Sequence, residues 1–481
     1  MSVKDDGKHG AESEVRRPLE RRSFLGLAAA GGIGLAAAGA LDAGAQPVAA
    51  TAPAGIPAAT SAGRKPNILA IVADDLGYAD LGVHGGTDIP TPNIDSIAKG
   101  GVRFTQGYVS CPVCSPTRAG LLTGRYQQRF GHEFNPGPDA ERATFGLPLT
   151  EVTFANVLKN SGYATGLVGK WHEGFQPDRD PTKRGFDEFF GFLQGAHSYV
   201  DLAPNGDKSI YRGTEPVDEK EHLTDAFARE AVGYIDRHKA DPFFLLLTFN
   251  AVHSPLEPHP RFLERFAGIA DERRRKYAAL LAGLDDAVGR VLAKVRESGL
   301  ENDTLIFFFS DNGGPTQNGS LNTPLRATKA TVYEGGIRVP YFIQWKGHLP
   351  EGVTYDKPVI SLDILPTAAA AASASLPGDR IIDGKNLLPF ISGQNAAHPH
   401  EFLYWRFGEQ SAVRSKDWKL LRFKGEEQLF ELSTDKGEST DLLTKQPEVA
   451  KGLREVYAQW ESNLIAPLWK RQEKNPKPSA G

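Results

Sequence analysis

Four groups of polar residues stand out because each follows closely on an apolar run: Asp74-Asp75, Lys170-Trp-His172, His253 and Asp311-Asn312. Asp74, Asp75, Asp311 and Asn312 offer oxygen ligands only, a set that suits a hard divalent cation rather than zinc. Lys170, His172 and His253 add cationic or proton-donating groups. The chain has 2 cysteines, Cys111 and Cys114. That is too few for a disulfide framework or a four-cysteine zinc site. A C-x-x-C pair on its own reads as a redox couple or half of a metal site. The neighbours Pro112, Ser115, Pro116 and Arg118 supply a better explanation.

The apolar runs span 67–73, 163–168, 243–249 and 304–309. Each is continuously hydrophobic instead of alternating, which predicts strands covered on both faces, as in a parallel sheet between helices. The segment 150–160 reads as a helix, and 271–298 carries an apolar stripe of helical period through Tyr277, Leu281, Leu284, Val288 and Val295. Strand and helix alternate, so the fold is α/β. In open parallel sheets ligands bind at the C-terminal edge of the strands. Four polar groups delivered to that one edge make a site.

After about Ser373 the pattern changes. Short runs at 401–407, 411–414, 418–423 and 428–432 read as an antiparallel meander, followed by a helix over 448–465. The expected architecture is a large domain, 66–372, with a mostly parallel central sheet between helices. A smaller C-terminal domain, 373–481, adds an antiparallel sheet and a packed helix.

Composition narrows the function classes. The 481 residues are 40% hydrophobic and 24% charged, an ordinary globular balance. A formal charge of −4 without blocks of like charge argues against nucleic acid as a partner. Arg21-Arg22 precedes a mildly apolar Ala/Gly run and a small-residue site at Ala43-Gly-Ala45, so residues 1–45 resemble a twin-arginine export signal. A Pro/Ala linker, 46–65, should be disordered. The expected location is periplasmic or extracellular, with no stable membrane partner after signal cleavage.

Cys114-Ser-Pro-Thr-Arg118, continuing to Gly124-Arg125, resembles the signature of the type I sulfatases, arylsulfatase-like enzymes of the alkaline phosphatase superfamily. The resemblance extends through Asp74-Asp75, Gly169-Lys-Trp-His172, His253-Ser-Pro255, Asp311-Asn-Gly-Gly314, Lys329 with Tyr333 to Pro340, and Ala412 to Lys419. It implies that Cys114 is converted to formylglycine, an aldehyde, by a formylglycine-generating maturation enzyme. Hydrated, the aldehyde offers one hydroxyl to attack sulfur and a second whose deprotonation expels sulfate. It also implies calcium held by Asp74, Asp75, Asp311, Asn312 and the converted Cys114. Arg118 would hold the diol, Lys170 and His172 would orient it, Lys329 would bind a sulfate oxygen, and His253 would protonate the departing alcohol. Glu173, after the Lys-Trp-His, and Cys111 depart from the family's usual pattern.

Polar loops at 191–211 and 313–326 should rim the pocket, where Trp171, His197 and Tyr199 could meet a sugar or simply pack the loops. Export and a polar rim favour a sulfated saccharide. A phosphonate or phosphate monoester hydrolase on the same scaffold, and a non-catalytic sulfated-glycan binding protein, stay open at this point.

Overall fold

A computed structural model describes residues 64–136 and 145–470. The proposed export signal and most of the linker lie outside the described residues. Arg64 and Lys65, expected in the disordered linker, are instead tied to the body. Arg64 donates to Lys239 O (2.8 Å) and Lys65 to Ser161 O (2.8 Å). Among the described residues no helix is long and apolar enough to cross a membrane.

Four strands form the middle of a ten-stranded sheet: β1 (Asn67–Ala73), β2 (Ala164–Lys170), β3 (Phe243–Thr248) and β4 (Thr304–Ser310). They lie in the spatial order β4-β1-β3-β2, all parallel. Every residue of β1, β3 and β4 is buried, as continuous hydrophobic runs require. The shorter flanking strands include antiparallel pairs, such as Tyr341–Gln344 on β4. The mostly parallel α/β reading therefore holds.

Helices cover both faces. α1 (Cys114–Thr123) lies in one hydrophobic cluster through Ala119, Leu121 and Leu122. α2 (Leu223–His238) and α3 (Glu272–Glu297) belong to the other, α3 through Tyr277, Leu281, Leu284 and Val288. The Asp271 side chain caps α3 by accepting from Arg274 N–H. The helix expected over 150–160 is shorter, Phe154–Lys159. Thr153 caps it: Thr153 Oγ1 accepts from Asn156 N–H, and Asn156 Oδ1 accepts from Thr153 N–H.

The meander forms as expected, with strands Leu403–Phe407, Gln410–Ser415, Trp418–Phe423 and Glu426–Glu431 in sequential antiparallel order. The last helix, Pro447–Glu461, stops before the expected 465. Trp405, Phe430 and Trp460 belong to the same hydrophobic cluster as Phe104 and Tyr341 of the large sheet. The two sheets thus share a core.

Candidate active site

The chain leaves β1 at Asp74-Asp75, β2 at Lys170 and β4 at Asp311-Asn312, all at one edge of the sheet. His253 arrives from the loop after β3. Asp75 and His172 have φ of 65° and 62°, a left-handed conformation uncommon away from glycine. Strain of this kind gathers where packing over-determines a functional backbone.

Cys114 is the first residue of α1, whose early N–H groups lack intrahelical acceptors. Ser115 N–H is satisfied by Asn135 Oδ1 (3.1 Å). Pro116 is tolerated because the first helical turn does not need its missing N–H. The helix therefore presents Cys114 to the sheet edge. Its Sγ lies 3.6 Å from Asp74 Oδ1 and 3.2 Å from Lys329 Nζ. Burial, reinforced by Asp74, pushes the Cys114 thiol up to about 12, so the unconverted side chain stays a thiol at neutral pH.

Charged groups interlock around it. Lys170 Nζ donates to Asp74 Oδ2 (2.6 Å), and Lys329 Nζ donates to Asp75 Oδ1 (2.5 Å). Arg118 donates twice to Asp311 Oδ2 (3.0 and 2.7 Å) and once to Lys170 O (3.3 Å). Its guanidinium thus holds the carboxylate wall. Burial alone would raise the Asp74 and Asp75 carboxyls, but Lys170 beside Asp74 and Lys329 beside Asp75, with His253 near both, hold them low. Asp74, Asp75 and Asp311 thus pair with Lys170, Lys329 and Arg118, three carboxylates to three basic side chains, with His253 left over.

The clustered donors can hold a metal ion. Donor atoms of Asp74, Asp75, Cys114 and His253 all lie within 4.8 Å of one another. Asn312 Nδ2 donates to Asp75 Oδ1 (2.7 Å), while Asn312 Oδ1 is buried with no hydrogen-bond partner among the described residues. A buried acceptor without a donor is costly unless something such as a cation meets it. Asp311 sits close, its Oδ1 accepting from Asp75 N–H (3.3 Å).

His253 Nδ1 lies 2.6 Å from Ser254 O, which fixes the proton on that nitrogen and leaves Nε2 facing Asp75 Oδ2 at 3.6 Å. Tyr199, one of the residues read as able to meet a sugar, is wholly buried and donates to the Asn250 and His253 carbonyls (2.8 and 2.9 Å). Trp171 is equally buried and donates to Arg179 O (3.0 Å). Both ring nitrogens of His197 face carbonyls, those of Ser198 and Lys208. All three pack the loops. His172 lies beside Cys114's cluster, but burial, with Lys170 and Arg118, lowers its basicity strongly. It is a neutral imidazole and adds no positive charge to the site.

A second buried group lies behind α1. Ser115 Oγ and His132 Nε2 are 2.6 Å apart, and that nitrogen is 3.7 Å from Glu173 Oε2. Burial pushes the Glu173 carboxyl well up and His132 down to about 3, so both are uncharged. Glu173 was visible in the sequence as a departure and Ser115 as part of the cysteine motif; His132, and its pairing with Ser115, carried no signal because that contact is tertiary.

The motif segments also brace one another. A Cβ on Gly313 would lie 1.9 Å from Gly335 O, so glycine is required where the Asp311 loop meets the Tyr333–Pro340 segment. Glu334 in that segment accepts from Lys419 (2.9 Å) and Tyr108 (2.6 Å), and Lys419 also reaches Glu438 (2.8 Å). Lys419 and Arg414, part of the Ala412–Lys419 match, are buried structural cations.

The sulfatase family matches residues 66–374, and the family described as N-sulphoglucosamine sulphohydrolase, C-terminal, matches 327–464. Pig (Sus scrofa) N-acetylgalactosamine-6-sulfatase is 35% identical over 372 residues, covering 72% of this chain and 70% of that protein. Bovine (Bos taurus) arylsulfatase A is 35% identical over 460 residues, covering 84% and 88%. The crystal structure of Ps i-CgsB in complex with k-i-k-neocarrahexaose superimposes with a TM-score of 0.80 at 35% identity, covering 85% of this chain and 95% of that one.

Proposed function

The chain belongs to the sulfatase family and is a sulfuric ester hydrolase; from that premise we propose that it cleaves sulfate esters of carbohydrates, using Cys114 converted to formylglycine and a calcium ion. The observation that carries this reading is the position of Cys114, at the start of α1 and within reach of both Asp74 and Lys329. The aldehyde, once hydrated, supplies one hydroxyl to displace the alcohol from sulfur and a second whose proton loss releases sulfate as the aldehyde re-forms. Asp74, Asp75, Asp311, Asn312 and the converted side chain would hold the calcium ion, which would supply positive charge favouring the ionised hydroxyl and offsetting the ester's charge.

The remaining work belongs to the chain's own residues. Lys170 and Arg118 are buried and keep the Asp74 and Asp311 carboxylates in place. Lys329 is 17% exposed in its side chain, so its Nζ can also meet a sulfate oxygen at the mouth of the site. His253, 21% exposed and fixed through Nδ1, presents Nε2 to protonate the departing alcohol. His172, neutral, can orient the nucleophile by hydrogen bonding without repelling the cation.

The carbohydrate assignment is supported by the amino-sugar 6-sulfatase relative and by the oligosaccharide complex of Ps i-CgsB. Residues 1–45 would direct export by the twin-arginine route, with catalysis by 66–372 braced by 373–481. The test is a matched set of nitrophenyl sulfate, phosphate and phosphonate with sulfated mono- and oligosaccharides, run on protein carrying the aldehyde. Sulfate release from a sugar is expected. Turnover of the phosphonate or phosphate alone would overturn the reading.

A further inference from the structure

Lys329 stands in a stretch, residues 326–333, that forms neither helix nor strand. Ala327 and Ala330, on either side of it, have φ of 65° and 66°, a left-handed conformation that a Cβ disfavours. Such a backbone keeps its shape only where outside groups satisfy and over-determine it. The side chain adds to the demand, since lysine carries its charge on a flexible four-carbon stem. Holding Nζ at 2.5 Å from Asp75 Oδ1 and 3.2 Å from Cys114 Sγ therefore requires a fixed Cα.

Gln410, from the small antiparallel sheet, supplies the outside groups. Its Nε2 donates to Ala330 O (3.0 Å), and its Oε1 accepts from Val332 N–H (3.1 Å). One amide thus serves both backbone groups, as a neighbouring strand would. Only one orientation of the amide works, because a flipped one would set carbonyl against carbonyl and donor against donor. On the other side, Ala330 N–H donates to Pro112 O (2.9 Å), two residues before Cys114. Ala330 is gripped between the cysteine segment and Gln410, and Lys329 is its neighbour.

Gln410 is itself a fixed point. It follows the two-residue turn Gly408-Glu409 and opens the strand Gln410–Ser415, paired with Phe407. Gly408 has φ of 61°, as tight hairpin turns require. The preceding strand is anchored on the large domain. Trp405 Nε1 donates to Val109 O (2.7 Å), and Arg406 donates to both Glu133 carboxylate oxygens (3.0 and 2.6 Å).

We propose that Gln410 is a positioning residue for sulfate-ester cleavage: it fixes the backbone around Lys329 so that Nζ meets a sulfate oxygen beside the nucleophile made from Cys114. The inference rests on the sulfate-binding role given to Lys329 above. Gln410 touches no substrate atom and acts through Lys329.

The experiment is a double-mutant cycle on kcat/KM for nitrophenyl sulfate with wild type, Gln410→Met, Lys329→Met and the pair, each corrected for the fraction of Cys114 converted to the aldehyde. Lys329→Met should lose about a hundredfold or more, as removal of a charge-stabilising donor does. Gln410→Met keeps the side chain's length but drops both bonds, and should lose about tenfold, because a small misplacement of a reacting group is costly. In the Lys329→Met background the same change should cost less than about twofold. Gln410→Asn keeps the amide but is one methylene too short to hold both bonds; it gives a second cycle with the same expectation, whether or not Gln410→Met folds. A loss under about twofold from wild type, or a tenfold loss repeated in the absence of Lys329, would overturn the positioning role and leave Lys329 in its own. Lys329→Met with wild-type activity would overturn the sulfate-binding role and the inference with it.

Discussion

Replacing Lys419 by methionine keeps the side chain's length and removes its charge from a site where Lys419, Glu334 and Glu438 are all 0% exposed. The two carboxylates then fare differently. Burial pushes Glu334 up, but Lys419 and Arg338 outweigh it and bring it to about 2. Without Lys419 it still has Arg338 (3.2 Å) and Tyr108 (2.6 Å) and stays ionised. Glu438 is already raised to about 7 by burial, against the pull of Lys419. Left with only the Glu334 N–H (2.7 Å), it takes up a proton. The loss is two charge-assisted hydrogen bonds, about 3–5 kcal/mol, or about 4–6 °C in Tm for a folded body of this size. Wild type should itself show the Glu438 signature. The folded state binds more protons than the unfolded one between about pH 4.5 and 7, so this group's contribution falls as pH rises through that window, by about 3 kcal/mol in all. Glu334 acts in the opposite sense: its stabilisation is present above its ordinary value and is lost as pH falls toward 2. Scanning calorimetry at about pH 7.5 on wild type, Lys419→Met, Glu438→Gln and the double variant closes a cycle whose coupling should be about 2 kcal/mol. Below their Tm all four should turn over nitrophenyl sulfate within about threefold. A Tm change under about 2 °C for Lys419→Met, with additive losses, would refute the reasoning.

His253→Ala should slow sugar sulfates far more than nitrophenyl sulfate, whose leaving group needs little protonation; equal losses would make His253 a binding residue. Asp75→Ala or Asp311→Ala should abolish turnover while circular dichroism stays native, and calcium should restore chelated wild type better than zinc; activity in protein shown by metal analysis to be metal-free would contradict the cation. Glu173→Gln should leave Tm within about 2 °C and the pH–rate profile unmoved, because it replaces a carboxyl already uncharged with an amide of equal size; a large loss would mean that Glu173 is ionised.

The central strands and the edge that carries the site were legible because unbroken apolar runs have few alternatives, and each was followed within a few residues by polar side chains. α3 was legible from its stripe and cap. α1 was not read as a helix, since Pro116 and Gly120 look like breakers; only its position in the first turn excuses the proline. α2 was missed although Phe227, Ala231, Tyr234 and Ile235 lie on one buried face, because charges break the run and His222 makes no side-chain cap. Within the site, residue types announced oxygen ligands and a cysteine signature. They could not announce that burial leaves His172 uncharged, that Arg118 clasps Asp311, or that Tyr199 fixes the His253 loop, since each depends on what folds around the group.

The central claim is that the reacting group is made from Cys114. Trypsin releases Phe104–Arg118, a peptide holding both Cys111 and Cys114. Fragment-ion mass spectrometry of this peptide from active native protein should find sulfur replaced by an aldehyde oxygen at position 114 and a thiol retained at 111, with the converted fraction tracking sulfate release across preparations. Full sulfatase activity in protein whose Cys114 is entirely an unmodified thiol would contradict the account.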